Sequence, residues 1–371
     1  MKELTLFTNR RFGLGLLALS ITAAGLMPAP ASAQQYEETN LVANTGQSGV
    51  TTVDPNLVNP WGISRSSTGP WWVADEAQGV ATLYNGSGMA QTLIVTIPQS
   101  GQNPAGTPTG IVFNGSSDFA VESGEPAVFI FAAFDGTISA WNPKANATVA
   151  IQKVQATPGS VLTGVTIAQS KGQNLLYVTD VHEGKIRVFD SNFSPVKFSD
   201  DSFSDDHLSD KFVPFNVQNI GGNLYVAFAR QNAAKNFVTF GAGLGTVDVF
   251  SPEGHLLRRL QRGTWFNAPW GLVQASTDFG TFSHSIIVGE FGSGEILAFD
   301  AVTGEFEGKL EDQNSNAISI PGIWALAFGA GNANSGAPNQ LFFSAGTDEG
   351  KAGLFGFFSP VAADLTQGND Q

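Results

Sequence analysis

The sequence predicts an all-β fold, a six-bladed β-propeller whose ring is closed by an N-terminal strand completing the last blade. Three observations carry that reading. A short phrase recurs six times at near-constant spacing, the signature of a propeller or a solenoid. The segments it organises are rich in β-branched and aromatic residues and bounded by Gly, Asn, Asp or Pro, which is strand-and-turn chemistry. Past the first thirty or so residues, no long segment shows the 3.6-residue apolar period of a helix.

The first element is a leader. Lys2, Arg10 and Arg11 precede an apolar run over residues 12–27, which ends in Pro28-Ala-Pro-Ala-Ser-Ala33. A basic start, an apolar stretch and a small-residue cut site are the order of a secretory signal peptide, with cleavage expected after Ala33. The run is short and closed by prolines, unlike a membrane anchor, and no later stretch is long enough to span a bilayer. The expected organisation is a signal peptide over 1–33, the propeller over 34–358 and a polar tail over 359–371. The expected location is outside the cytoplasm, periplasmic or extracellular, where a chain without cysteine is indifferent to redox conditions.

The repeat follows. Each unit opens on a corner: Asn59-Pro-Trp-Gly62, Thr107-Pro-Thr-Gly110, Val161-Leu-Thr-Gly164, Val213-Pro-Phe-Asn216, Ala268-Pro-Trp-Gly271 and Gly322-Ile-Trp-Ala325. The last residues of these phrases lie 48, 54, 52, 55 and 54 positions apart. A second strand such as Trp71-Trp-Val-Ala-Asp75 follows, then a glycine turn and a third strand such as Gly79-Val-Ala-Thr-Leu-Tyr84. A more polar fourth strand completes five units, at 91–97, 148–154, 195–199, 256–261 and 306–310. The sixth unit runs out after Phe358, and residues 38–43 are available to fill its empty slot. Joining the ends removes the sheet edges that invite aggregation. An open solenoid would need a capping unit at each end, and none is visible.

Composition narrows the function classes. The 371 residues include no cysteine, 43 glycines and 13% charged residues, with a net charge of −14. The acidic balance argues against nucleic-acid binding, which rewards clustered Lys and Arg. Disulfides, thiolate metal sites and a cysteine nucleophile are excluded. The zinc-protease, nucleophile-elbow and phosphate-loop motifs are absent.

Read in order, Asp54-Pro-Asn-Leu-Val-Asn-Pro-Trp-Gly-Ile63, Trp72-Val-Ala-Asp75, Pro214-Phe-Asn-Val-Gln-Asn-Ile220, Pro269-Trp-Gly-Leu272 and Ile323-Trp-Ala-Leu-Ala-Phe328 resemble an uncharacterised family of exported bacterial propeller proteins. Some members of that family carry a PEP-CTERM sorting tail; residues 359–371 lack its apolar helix and basic cluster. The resemblance implies the propeller and export, and it implies no activity. A broader similarity is to NHL propellers.

In an antiparallel blade, the start of the innermost strand and the end of the second share one face. Asn59, Trp61, Asp75, Asp180, Asn216, Asn267, Trp270, Glu290 and Trp324 are therefore expected at one mouth of the central channel. Asp75, Asp180 and Glu290 each stand four residues before a turn glycine, in blades one, three and five. Pointed at one axis, they would suit a hard cation, Ca²⁺ or Mg²⁺; the alternative is that each caps its own turn. Trp61, Trp270 and Trp324 are candidates for an aromatic surface that takes a sugar or other flat ligand, or else for packing between blades. An insertion over residues 230–244 offers Arg230, Gln231 and Lys235 as lid residues, or else is a merely ornamental loop. His182, beside Asp180 and Glu183, is the candidate acid–base group, or a solvated turn histidine. The oxygen-rich stretch over residues 200–210 lacks the EF-hand order and reads as a connection into blade four.

The expected function is a binding or interaction module for a small molecule, a glycan or an envelope protein at this mouth. The alternative is a divalent-metal-dependent hydrolase or lyase with the three carboxylates as ligands and His182 as base. A purely structural role would need no mouth chemistry at all.

Overall fold

The computed structural model describes residues 35–46, 49–100, 105–155, 157–209 and 211–361. The expected signal peptide, and residues 362–371 of the expected tail, lie outside the described residues. What is described is a ring of six antiparallel sheets, the propeller expected from the repeat. The innermost strands are Pro60–Ser64, Pro108–Phe113, Leu162–Ser170, Phe212–Ile220, Pro269–Gln274 and Ile323–Phe328. Each packs against the next, and the sixth packs against the first.

Ring closure follows the sequence expectation. The strand Tyr36–Ala43 pairs antiparallel with Leu354–Pro360, from Tyr36 opposite Pro360 to Ala43 opposite Leu354, with a register shift between Asn40 and Val42. Ser359 and Pro360 belong to this strand, so the propeller runs two residues past the expected boundary at 358. A short strand, Thr52–Val53, then adds parallel to the outside of the closing strand. The outer strand of blade one shrinks to Val95–Thr96 from the expected 91–97. Its free edge is covered by blade two, because Thr96 exchanges backbone hydrogen bonds with Thr148 and Ala150.

Small residues and hydrogen bonds set how tightly the blades pack. A Cβ at Gly62 would lie 2.7 Å from the carbonyl oxygen of Thr109, and one at Gly271 2.7 Å from that of Trp324. These are the recurring glycines of the corner phrase, and their spacing records backbone approach between neighbouring blades. Side chains stitch the same joins. The Thr109 hydroxyl donates to the Leu162 carbonyl (2.8 Å), Thr163 to Phe215 (2.7 Å), the Asn216 amide to Trp270 (2.7 Å), and Ser344 to Trp61. Asn216 thus replaces the repeat glycine with a side chain that bridges to blade five.

An apolar cluster fills each gap between blades. Trp72 stacks on Phe129 and meets Trp141 between blades one and two, while its neighbour Trp71 packs on Phe342 toward blade six. Period-two alternation sends the adjacent tryptophans into different gaps. Burying each large apolar side chain stabilises the fold by about 1.5–3 kcal/mol.

The 200–210 connection is anchored by charge. Asp205 is buried and accepts from Arg259 (2.7 Å) and Arg262. Hydrogen bonding to Arg259 holds the Asp205 carboxyl well below its ordinary range. Asp248 beside it is fully buried, and burial, with the nearby Asp205 charge, raises its carboxyl to about 7.

Three outcomes follow from this architecture. Gly62→Ala should cost about 1–3 kcal/mol by overpacking, read as a lower Tm. Deleting residues 35–43 removes buried Tyr36, Leu41 and Val42 and should lower Tm by about 10 °C or more, with loss of a single cooperative transition. The Asp248 proton favours the folded state, so its contribution is present below its ordinary value of 3.8 and is lost as pH rises through about 7. Asp248→Asn should flatten the fall in Tm across that window; an unchanged profile would show that Asp248 does not titrate there.

Candidate functional site

Three corner phrases build the centre of the ring. Asn59, Ala268 and Gly322 each take a left-handed backbone conformation (φ of 47°, 52° and 72°) just before an inner strand begins. The tryptophan two residues later then meets its counterparts near the axis. Trp61 stacks on Trp324 at 3.6 Å with an interplanar angle of 16°, and Trp270 stands edge-on to both at 6.1 and 5.8 Å. Phe215 packs edge-on against Trp61 and Trp324. All three indoles are no more than 3% exposed, so no tryptophan face is open for a sugar to lie on. Their first role is packing between blades.

This aromatic plug separates two cavities. On the side of the corner phrases lies a cleft of about 480 Å³. Its apolar walls are Trp61, Trp324, Phe134, Phe237, Phe240 and Phe291. Phe291 stacks on Trp324 at 4.0 Å, and Phe237 meets Phe134, Phe215 and Phe291 at 5.6–6.0 Å. Polar groups enter from blades one and six: Asn59, Glu76, Asp348 and Glu349. The Asn59 amide donates to Glu76 Oε2 (2.8 Å), and its oxygen accepts from the Trp324 indole (3.4 Å). Burial raises the Glu76 carboxyl above its ordinary value, and the bond from Asn59 opposes that rise. At the other end of the inner strands, a channel of about 390 Å³ is lined by Arg65, Asn216, Gln218, Asn219 and Trp270 among others.

The three candidate metal ligands are not gathered. Asp75, Asp180 and Glu290 are each fully buried within their own blades. Their shared spacing to glycine has a local cause: the Gly79, Gly184 and Gly294 amides donate to the carbonyls of Asp75, Asp180 and Glu290 at 3.0, 2.9 and 2.7 Å. Asp180 accepts from Ser160 and from the backbone amides of Val161 and Glu183, with Arg187 at 3.8 Å. That is turn capping. Asp75 accepts from the Thr82 hydroxyl (2.7 Å) and Glu290 from the Asn267 amide, and each keeps one oxygen without a partner among the described residues. Burial pushes both carboxyls well above their ordinary values. Among the described residues, the one trio of possible metal ligands within 4.8 Å is Asp205, Asp206 and His207 in the 200–210 connection. Asp205 there is already held by two guanidinium groups.

The remaining candidates divide. Asn59, Trp61 and Trp324 line the cleft, whereas Asn216 and Trp270 line the channel on the far side of the plug. Asn267 ties the blade-four insertion to blade five, its side-chain oxygen accepting from the Gly241 amide (2.6 Å). Arg230 and Lys235 are exposed around a separate surface depression. The insertion does reach over the mouth, but through Phe237. It is a short ribbon in which Val238–Thr239 pairs with Arg230 and Gln231. His182 holds its base, with Nδ1 3.2 Å from the Lys235 carbonyl, while Gln231 donates to the Val181 carbonyl (2.5 Å). His182 makes no ion pair with Asp180 among the described residues, and Glu183 pairs with Lys185 at 3.0 Å.

Sequence reasoning missed Glu76, Phe134, Phe237 and Phe291. Three of them carried a signal: Glu76, Phe134 and Phe291 each stand one residue past a second strand ending in Asp75, Ala133 or Glu290. That position turns inward at the mouth, and in blades one and five it lies one residue beyond a carboxylate that drew attention. Phe237 had no such register, because an insertion falls outside the repeat.

No family model matches the sequence. Among solved structures, virginiamycin B lyase from Staphylococcus aureus superimposes with a TM-score of 0.52 at 11% identity, over 88% of this chain and 100% of that one. A protein of unknown function from Bacteroides thetaiotaomicron gives a TM-score of 0.52 at 11% identity, over 88% of this chain and 76% of its own. At such identities the likeness is one of fold alone. Among the described residues no helix is long and apolar enough to cross a membrane. The sequence relatives are viral. Uncharacterized protein L690 of Acanthamoeba polyphaga mimivirus is 29% identical over 82% of this chain and 80% of its own length. Uncharacterized protein R648 of the same virus is 30% identical over 91% of this chain and 84% of its own. The chain belongs to the family of uncharacterized protein R648.

Proposed function

We propose that this propeller is a binding module whose ligand enters the aromatic cleft at the mouth bearing the corner phrases. One observation carries the reading. The cleft of about 480 Å³ combines apolar ring walls with a few convergent polar groups, the combination that marks small-molecule sites. Its floor is rigid, since the plug is held by stacked indoles and by blade joins. Its roof is the Phe237 ribbon, which reaches across from blade four. The ligand is a small molecule rather than a glycan, because the stacking surfaces a sugar would need are already occupied by neighbouring rings.

We propose further that the protein acts outside the cytoplasm after its leader is cut. The closing strand starts at Tyr36, three residues beyond the cut expected after Ala33, so cleavage there leaves ring closure whole. The mature mass is the check: a chain starting at Gln34 supports export, and an uncut chain in the cytoplasm opposes it.

Phe237→Ala and Phe291→Ala should each weaken binding of a soluble aromatic fragment about tenfold, near 1.4 kcal/mol, with small change in Tm. Ligand-observed NMR with a fragment panel reads this directly. Binding unaffected by both changes would place the site elsewhere. Millimolar Ca²⁺ or Mg²⁺ is the companion measurement: a rise in Tm that Asp180→Ala abolishes would favour the metal-dependent hydrolase or lyase alternative.

A further inference from the structure

We infer that the cleft takes an organic ammonium ion, a positively charged nitrogen on an apolar body, with Glu76 as its principal counter-charge. The inference rests on reading the cleft as the ligand site and adds the ligand's charge.

The lining is one-sided. Glu76, Asp348 and Glu349 contribute three carboxylates, and no Lys, Arg or His lines the cleft among the described residues. Lys351 bonds to Glu349 at 3.3 Å, but that pair is solvent-exposed, where it neutralises little. Glu76 is different. It is half-buried against the rings, Asn59 occupies only its Oε2, and Oε1 accepts no hydrogen bond among the described residues. A carboxylate against low-dielectric walls attracts a cation more strongly than one in open water.

The walls favour the same sign. The face of a Phe ring carries negative quadrupole charge, so a cation that meets a wall phenylalanine face-on is attracted. An anion would meet repulsion from both the rings and the rim. A neutral ligand would strip water from Glu76 and return nothing for it. The channel behind the plug has the opposite character: Arg65 lines it, no carboxylate does, and Arg65 makes no ion pair among the described residues. The two ends of one axis therefore sort ligands by charge, and the aromatic end is the one built for cations.

A matched pair of probes tests this on the purified chain. Phenyltrimethylammonium and tert-butylbenzene share shape and differ in charge, and quenching of tryptophan fluorescence with calorimetry gives both affinities. The cation should bind at least about tenfold tighter, and the preference should weaken in high salt. Glu76→Gln should cut the preference to about threefold or less, while Arg65→Gln leaves it intact. If Glu76→Gln fails to fold, the exposed double change Asp348→Asn with Glu349→Gln should still lower cation affinity a few-fold without moving that of tert-butylbenzene. Equal affinity of the two probes for the native chain overturns the charge inference and leaves the cleft as a ligand site. Binding of neither probe, with the cation taken to about 10 mM and tert-butylbenzene to its solubility limit, overturns the cleft reading itself. A preference that survives all the carboxylate changes places the cation elsewhere and also overturns the inference.

Discussion

Six inner strands crowd around a single axis, and most of what is distinctive here follows from how closely they approach. At Gly62 and Gly271 a methyl group would fall within van der Waals radii of the next blade's backbone. Strands this close can be joined by short side chains, and Thr109, Thr163, Asn216 and Ser344 each bond to a carbonyl of the following blade. A buried carbonyl left without such a partner would cost about 1–3 kcal/mol. The arrangement holds only as a closed ring, which is why the strand Tyr36–Ala43 is part of the core although it comes from the opposite end of the chain.

The same crowding explains the centre. Inner strands that pack so near leave little room, and three tryptophans from blades one, five and six fill it. They arrive there because the residue two positions earlier adopts a left-handed conformation, a local cost of about 1–2 kcal/mol where it is not glycine. Stacking at 3.6 Å over buried surface more than offsets that cost. The plug converts one channel into two cavities with different surroundings. Toward the corner phrases the lining is aromatic rings and carboxylates; beyond the plug it is mostly apolar side chains with three amides and one arginine. A chain with net charge −14 has carboxylates to spare, so the channel's lack of them is the more telling half of the contrast.

Much of the fold was legible in the sequence and only part of the site. The recurring glycine was readable because the four blades that carry it bring their backbones close to a neighbour in the same way, and repetition exposes the shared requirement. The carboxylate pattern was equally regular but meant something local: Asp75, Asp180 and Glu290 sit where a four-residue turn closes onto their own carbonyls. Regularity along the chain could not say whether three side chains converge on an axis or stay within three separate blades. The aromatic set was half visible. Trp61 and Trp324 line the cleft as expected, Trp270 faces the other cavity, and the phenylalanines that complete the walls stand one position further along or in an insertion.

The sequence by itself determined the number of blades and the partner of the incomplete blade, because those depend on periodicity and on turn residues acting over a few positions. Only the tertiary structure decided which rings meet, which carboxylates stay buried and which reach the cleft. Those outcomes depend on how residues of different blades approach, such as Trp61 and Trp324, and a shift of one residue along a strand sends a side chain to the opposite face. Local chemistry fixes each blade; the closing of the ring fixes what lies between them.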